Sequence, residues 1–262
     1  MTANSQGWST EVEGGIWSAA RTSSDTDIEG SPFFGGYFAG YSSGTVGNFN
    51  VAIDGRFELL DDQGADDVYV TGPLHTGVLG VHVGRETGAG YFGGYAAAGW
   101  FDGYDSESPM SGYITGIEMT RNLANGGALY GQAGYAVAIG DPGDNEFMGP
   151  AAKFGIMTEL GNGMGLDLSF EYAKSPDCFE DCGSGQWGRY IALNVEVTYG
   201  LNNQMDLVGD YSLQQITAND EDYGTSNNVY VGIRVPLGDK AKTGLRTPMG
   251  AFNAAGWMAP LD

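Results

Sequence analysis

The stretch Phe49-Asn-Val-Ala-Ile-Asp-Gly-Arg-Phe-Glu-Leu-Leu60 decides the fold. Phe49, Val51, Ile53, Phe57 and Leu59, with Gly55 among them, fall on one side of an extended chain. Asn50, Asp54, Arg56 and Glu58, with Ala52, fall on the other. Period-two alternation assigns the two sets to opposite faces of a β-strand. The polar face carries charges of both signs rather than Ser and Thr alone. The same alternation, a tight turn and a return recur along the chain. Leu166, Leu168, Phe170 and Tyr172 make one apolar stripe, Ile191, Leu193, Val195, Val197 and Tyr199 a second, and Val229, Val231, Ile233, Val235 and Leu237 a third. With no helical segment to cover either face, two architectures fit. One is a sheet closed on itself in a membrane, apolar outside and wet inside. The other is a soluble sandwich or barrel whose apolar faces meet in a core.

Twelve strands are expected between 9 and 237, the eighth over 150–160 and the last over 228–237. Their connections alternate in kind. Short Gly/Asn turns lie at 42–47, 86–90, 123–126, 161–163 and 201–204. Long connections lie at 22–32, 61–72, 102–111, 140–149, 175–187 and 216–227, and they hold more than half of the 33 acidic residues. In an up-and-down meander this alternation gathers every long loop at one end. An even strand count brings both termini to the other. Glycine, 45 of 262 residues, is more than twice its usual share of about 7% and is scattered, which suits an all-β chain with many turns. No apolar run is long enough for a transmembrane helix. The net charge of −22 makes nucleic acid an improbable partner, because phosphate neutralisation needs a basic surface.

The pattern resembles a bacterial outer-membrane β-barrel: even strand number, short periplasmic turns, long extracellular loops. The resemblance covers 9–237 and implies a fold and a location. The fold is an all-β, twelve-stranded antiparallel up-and-down transmembrane barrel. The location is the outer membrane, as a mature chain after removal of a signal peptide, since 1–8 has no basic or apolar leader. Segment 1–8 and tail 238–262 are then periplasmic. Tyr41, Tyr91, Tyr113, Tyr172, Tyr199 and Trp100 read as interfacial girdles. The tail departs from barrels that end on a terminal aromatic of the last strand, and it carries Lys240, Lys242 and Arg246. It reads as a loose periplasmic extension; a sharper reading sends its basic part into the acidic lumen as a plug.

The polar face supplies the candidate site. Asp54, Glu58, Glu118, Glu159, Asp167, Glu171, Glu196 and Asp210 form an acidic wall with Arg56, Lys153 and Arg234 as internal counter-charges. Glu11, Glu13 and Asp206 share that face. A carboxylate wall favours cations, so a narrow channel for small cationic or neutral solutes is expected, bounded outside by membrane lipid. Its oligomeric state is left open. The alternative is a non-conducting barrel that acts through its acidic loops. Asp61, Asp62, Asp66 and Asp67, Asp141, Asp144 and Glu146, and Asp220 and Asp222 are candidate Ca²⁺ ligands, dense in oxygen and near glycine, though none matches an EF-hand loop. No other cofactor is indicated. Cys178 and Cys182, without a nearby histidine, suit a loop disulfide better than zinc. A rim hydrolase is a remote third reading, with His75 beside Asp66 or Asp67, but no nucleophile motif accompanies it. The glycine-rich stretch 84–90 lacks the Lys-Ser/Thr and helix of a phosphate loop and reads as a hairpin.

Overall fold

The computed structural model describes residues 8–23, 33–61, 74–102, 110–124, 126–139, 146–175, 188–202, 204–218, 221–237 and 245–248. Twelve strands follow one another: β1 (Ser9–Ser23), β2 (Phe33–Val46), β3 (Phe49–Asp61), β4 (Leu74–Thr87), β5 (Gly90–Asp102), β6 (Met110–Asn122), β7 (Ala128–Ile139), β8 (Glu146–Gly161), β9 (Met164–Ser175), β10 (Gly188–Asn202), β11 (Met205–Ala218) and β12 (Glu221–Leu237). Each pairs antiparallel with its neighbour in sequence, and β12 pairs with β1 to close a barrel. Strands of 12 to 17 residues exceed the usual five or six. They are long enough to cross a membrane at a tilt.

The alternation places each side chain on one wall. Ile16, Phe38, Leu79, Phe92, Ile117, Phe154 and Leu193 face outward and are exposed, Ile16 by 70%. Glu13, Asp54, Glu58, His82, Glu118, Gln132 and Glu171 face inward and are buried, Glu118 to 1% exposure. A soluble barrel would have the reverse arrangement. Leaving that outer surface in water would forfeit roughly 25 cal/mol for every Å² of apolar area, so lipid is the solvent the outer wall fits.

Three local features set the register. The turn Gly161-Asn162-Gly163 places all three residues at positive φ, 88°, 54° and 75°, and joins β8 to β9 with the tightness glycine and asparagine allow. Between β2 and β3 the ladder runs unbroken from Val46↔Phe49 to Phe34↔Asp61, so the glycine-rich β2 carries no bulge there. Many of the scattered glycines are seats for inward tyrosines. A side-chain carbon at Gly155 would lie 2.6 Å from the Tyr130 hydroxyl, and one at Gly232 would lie 2.2 Å from that of Tyr37. Each ring covers backbone that its neighbouring strand leaves bare.

Two expectations change. β12 begins at Glu221 and β8 at Glu146, so the supposed loop 216–227 contracts to 219–220. The added part of β12 is polar on both faces: Ser226 and Asn228 bond each other inside, while Asn227 accepts from Tyr211 outside. Without an apolar face there is no alternation to read. Tyr41 and Tyr91 also leave the girdle, for they point inward, whereas Tyr113, Tyr172, Tyr199 and Trp100 remain on the outer wall.

Leu79 sits near the middle of β4 on the lipid face. Leu79→Arg should destabilise the folded barrel by about 2–4 kcal/mol, read from urea titration of folding into lipid bilayers. An unchanged midpoint would place this wall out of lipid.

Candidate functional site

Several of the inward charges lie toward the turn end, where β1 starts and β12 finishes, while Glu58 and Glu171 lie nearer the loop ends of β3 and β9. Glu13 is four residues into β1, Arg234 three from the end of β12, Asp54 five into β3 and Glu118 four from the end of β6. Toward the loop end the inner wall is mostly small or apolar: Ala19, Ile114, Ala136, Ala173, Ala192 and Ile216, all buried.

Four groups of side chains make up the charged part. Arg234 spans three strands. Its Nη2 lies 2.7 Å from Glu13 on β1 and 2.9 Å from Glu196 on β10, and Nε donates to Glu13 at 2.8 Å. The Tyr37 hydroxyl donates to the other Glu13 oxygen at 2.9 Å. Arg56 pairs with Glu58 at 2.6 Å, two residues along the same face, while its guanidinium lies 4.6 Å from the ring centre of Tyr37 and 4.4 Å from that of Tyr230. Tyr230 in turn stacks on Trp17 at 5.5 Å.

His82 is the third centre. Its Nδ1 lies 2.7 Å from Glu118 and its Nε2 lies 2.8 Å from Asp54. One ring nitrogen faces each carboxylate, so the imidazole on β4 ties β3 to β6. Tyr91 and Gln132 complete the shell of Glu118 with hydrogen bonds of 2.8 and 3.1 Å. In the fourth group Lys153 pairs with Glu171 at 3.0 Å, and the Tyr130 hydroxyl donates to Asp167 at 2.8 Å. Asp210 differs, because its Oδ1 is buried with no hydrogen-bond partner among the described residues. Glu159 is exposed beside the β8–β9 turn, away from these groups.

The tail enters this picture through Leu245–Pro248. Arg246 Nη2 lies 2.7 Å from Glu11 and Nη1 lies 3.6 Å from Glu13. Thr247 donates its amide to Asp54 Oδ2 at 3.0 Å and its hydroxyl to Asp54 Oδ1 at 2.9 Å. Leu245 and Thr247 are buried.

The structure places Asp54, Glu58, Glu118 and Glu171 on the inner wall, and it adds His82, which sequence reasoning did not join to Asp54 and Glu118. The clue was its parity: His82 pairs with Ala52 in the β3–β4 ladder, so it shares a face with Asp54. His75 has the opposite parity. It faces outward, its ring 6.3 Å from Phe57, which also lies 6.2 Å from Trp100; Asp66 and Asp67, the partners expected for it, lie outside the described residues. Among the candidate Ca²⁺ ligands, Asp61, Glu146 and Asp222 belong to strand ends rather than loops. Asp62, Asp66, Asp67, Asp141, Asp144 and Asp220 lie outside the described residues, as do Cys178 and Cys182. Among the described residues no group of three ligating side chains is arranged to hold a metal ion.

Arg234→Met would leave Glu13 and Glu196 without a shared cation. A fully buried pair broken this way costs about 3–5 kcal/mol; partial exposure of Arg234 and Glu196 lowers the expectation to about 2 kcal/mol. The check is the unfolding midpoint in detergent micelles. Adding Glu13→Gln should restore part of the loss, since one unpaired charge is then removed.

No protein-family model matches the sequence, and no curated protein does. Solved structures do. The translocator domain of autotransporter NalP from Neisseria meningitidis aligns over 89% of this chain and 90% of its own, with 13% identity and a TM-score of 0.54. A deletion mutant of the TodX monoaromatic hydrocarbon channel aligns over 88% and 90%, with 8% identity and a TM-score of 0.50. At such identities the likeness speaks for the fold alone, and the fold is that of a bacterial outer-membrane β-barrel.

Proposed function

We propose that this chain is an outer-membrane channel, narrow and cation-preferring, for small cationic or neutral solutes. The observation that carries the reading is the inner wall itself, where carboxylates outnumber fixed cations around one closed circumference. Such a wall concentrates cations and repels anions, most strongly where low-dielectric walls confine the field. The selective carboxylates are proposed to be Asp54, Glu58, Glu118, Asp167, Glu171, Glu196 and Asp210, with Arg56, Lys153 and Arg234 holding some of them in place. The partners differ along the wall. Glu58 and Glu171 are committed to one cation each, and Asp54 and Glu118 share His82. Asp210, with an oxygen unclaimed by the described residues, is the best candidate to meet a passing ion.

A specific observation favours a second reading, a barrel that does not conduct and acts through its surface. Inward residues at both ends are closely covered: Ala19, Ile114 and Ala192 near the loop end and Glu118 near the turn end are each no more than 1% exposed. Acidic loops above the rim would then carry the function, with diffuse Ca²⁺ or Mg²⁺ beside anionic lipid.

Reversal potential of the purified chain in a planar bilayer under a KCl gradient separates the two. The expected result is a potential of the sign for K⁺ over Cl⁻. Asp210→Asn with Glu196→Gln should move it toward zero. Absence of any conductance, or anion preference, would reject the channel reading in this form.

A further inference from the structure

The segment Leu245–Pro248 lies against the inner wall as a ligand lies in a site. Its guanidinium reaches two carboxylates, Glu11 and Glu13, which stand two residues apart on one face of β1. The next residue places both its amide and its hydroxyl on one carboxylate, Asp54, whose Oδ1 also meets His82. The floor beneath Thr247 is Gly80. A side-chain carbon added there would lie 2.0 Å from the Thr247 hydroxyl and 2.5 Å from Asp54 Oδ1. Any larger residue at this inward position would take the space that Thr247 occupies, so the cradle has room for its occupant because its floor has no side chain.

We infer that Leu245–Pro248 is an intramolecular ligand closing the turn-end mouth, and that its seat, formed by Glu11, Glu13, Asp54 and Gly80, is a binding site for guanidinium-bearing solutes that displace it. The inference rests on the channel reading for its consequence, an opened mouth, but not for the binding itself. A planar guanidinium matches paired carboxylate oxygens better than an ammonium does, which gives the site its chemical preference. The tail competes from a tether, at a high effective concentration, so a free solute must be abundant to unseat it.

The test uses the full chain with Cys178→Ser, Cys182→Ser and Thr247→Cys, folded in detergent and verified by its heat-dependent gel mobility. A thiol-reactive polyethylene glycol reads whether position 247 is covered. Labelling should be slow. Methylguanidinium at about twice its dissociation constant should raise the rate roughly threefold, by simple competition. Methylammonium at equal concentration should do distinctly less. Gly80→Ala or Arg246→Gln should raise labelling with no solute added. A folded chain that labels rapidly at the outset, that ignores methylguanidinium, or that answers both cations alike would overturn the inference.

A second variant guards against a thiol at position 247 that disturbs its own seat. Gly80→Cys with Thr247→Cys starts with the two β-carbons 3.3 Å apart, so a small outward shift brings them to disulfide spacing. This pair should cross-link under mild oxidation and more slowly with methylguanidinium present. A folded double variant that does not cross-link removes the seat altogether. Neither readout involves ion flow, so cation-selective conductance with a failed seat would leave the channel standing, and a sound seat in a silent barrel would remove the channel alone.

Discussion

A sheet closed on itself has an inside that neither lipid nor bulk water freely serves, and this chain fills that inside with carboxylates. Desolvating one costs several kcal/mol unless a donor or cation replaces the lost water. The rest of the interior follows from that need. Arg56, Lys153, Arg234 and His82 each meet at least one acid, and three tyrosine hydroxyls donate to Glu13, Glu118 and Asp167. The tyrosines need flat ground to reach across the wall, and inward glycines on neighbouring strands supply it. High glycine, high tyrosine and few lysines are therefore one solution seen in three parts of the composition.

The same constraint divides the lumen along its axis. Near the turns, charges are paired and interlocked; near the loops, alanine and isoleucine share the wall with buried hydroxyls and an amide, Thr76, Ser175, Thr217, Ser226 and Asn228. The tail segment lies at the turn-proximal end, against Glu11 and Asp54.

Much of this was legible before any coordinates. Strands such as β3, β9 and β10 have an apolar face and a polar face, and lipid outside with charge inside enforces that pattern strongly enough to read one strand at a time. The first seven residues of β12 have polar groups on both faces and no apolar stripe, so they read as a loop. Tyr41 and Tyr91 lie in glycine-rich strands whose faces sequence barely distinguishes, and an amphipathic ring suits either wall. His82 gained its meaning from β3 and β6, which approach it from opposite sides in space. For the tail, charge alone offered lumen entry as one of two readings; the particular partners of Arg246 and Thr247 lie 235 and 193 residues away, and an irregular tetrapeptide has no period from which to read them.

Those separations also bear on how the molecule is made. The Glu13–Arg234 bond links positions 221 apart, and Arg246 reaches back to Glu11 over 235. Closing a loop of that length costs about 5 kcal/mol of chain entropy on the logarithmic scaling for flexible chains. Such contacts form late, after the local hairpins have begun to cooperate. Until β12 reaches β1, the acids of the first strand face one another without their cations. The acids of the first strand gain their cations only when β12 joins β1, so closing the ring and neutralising this part of its interior are one event.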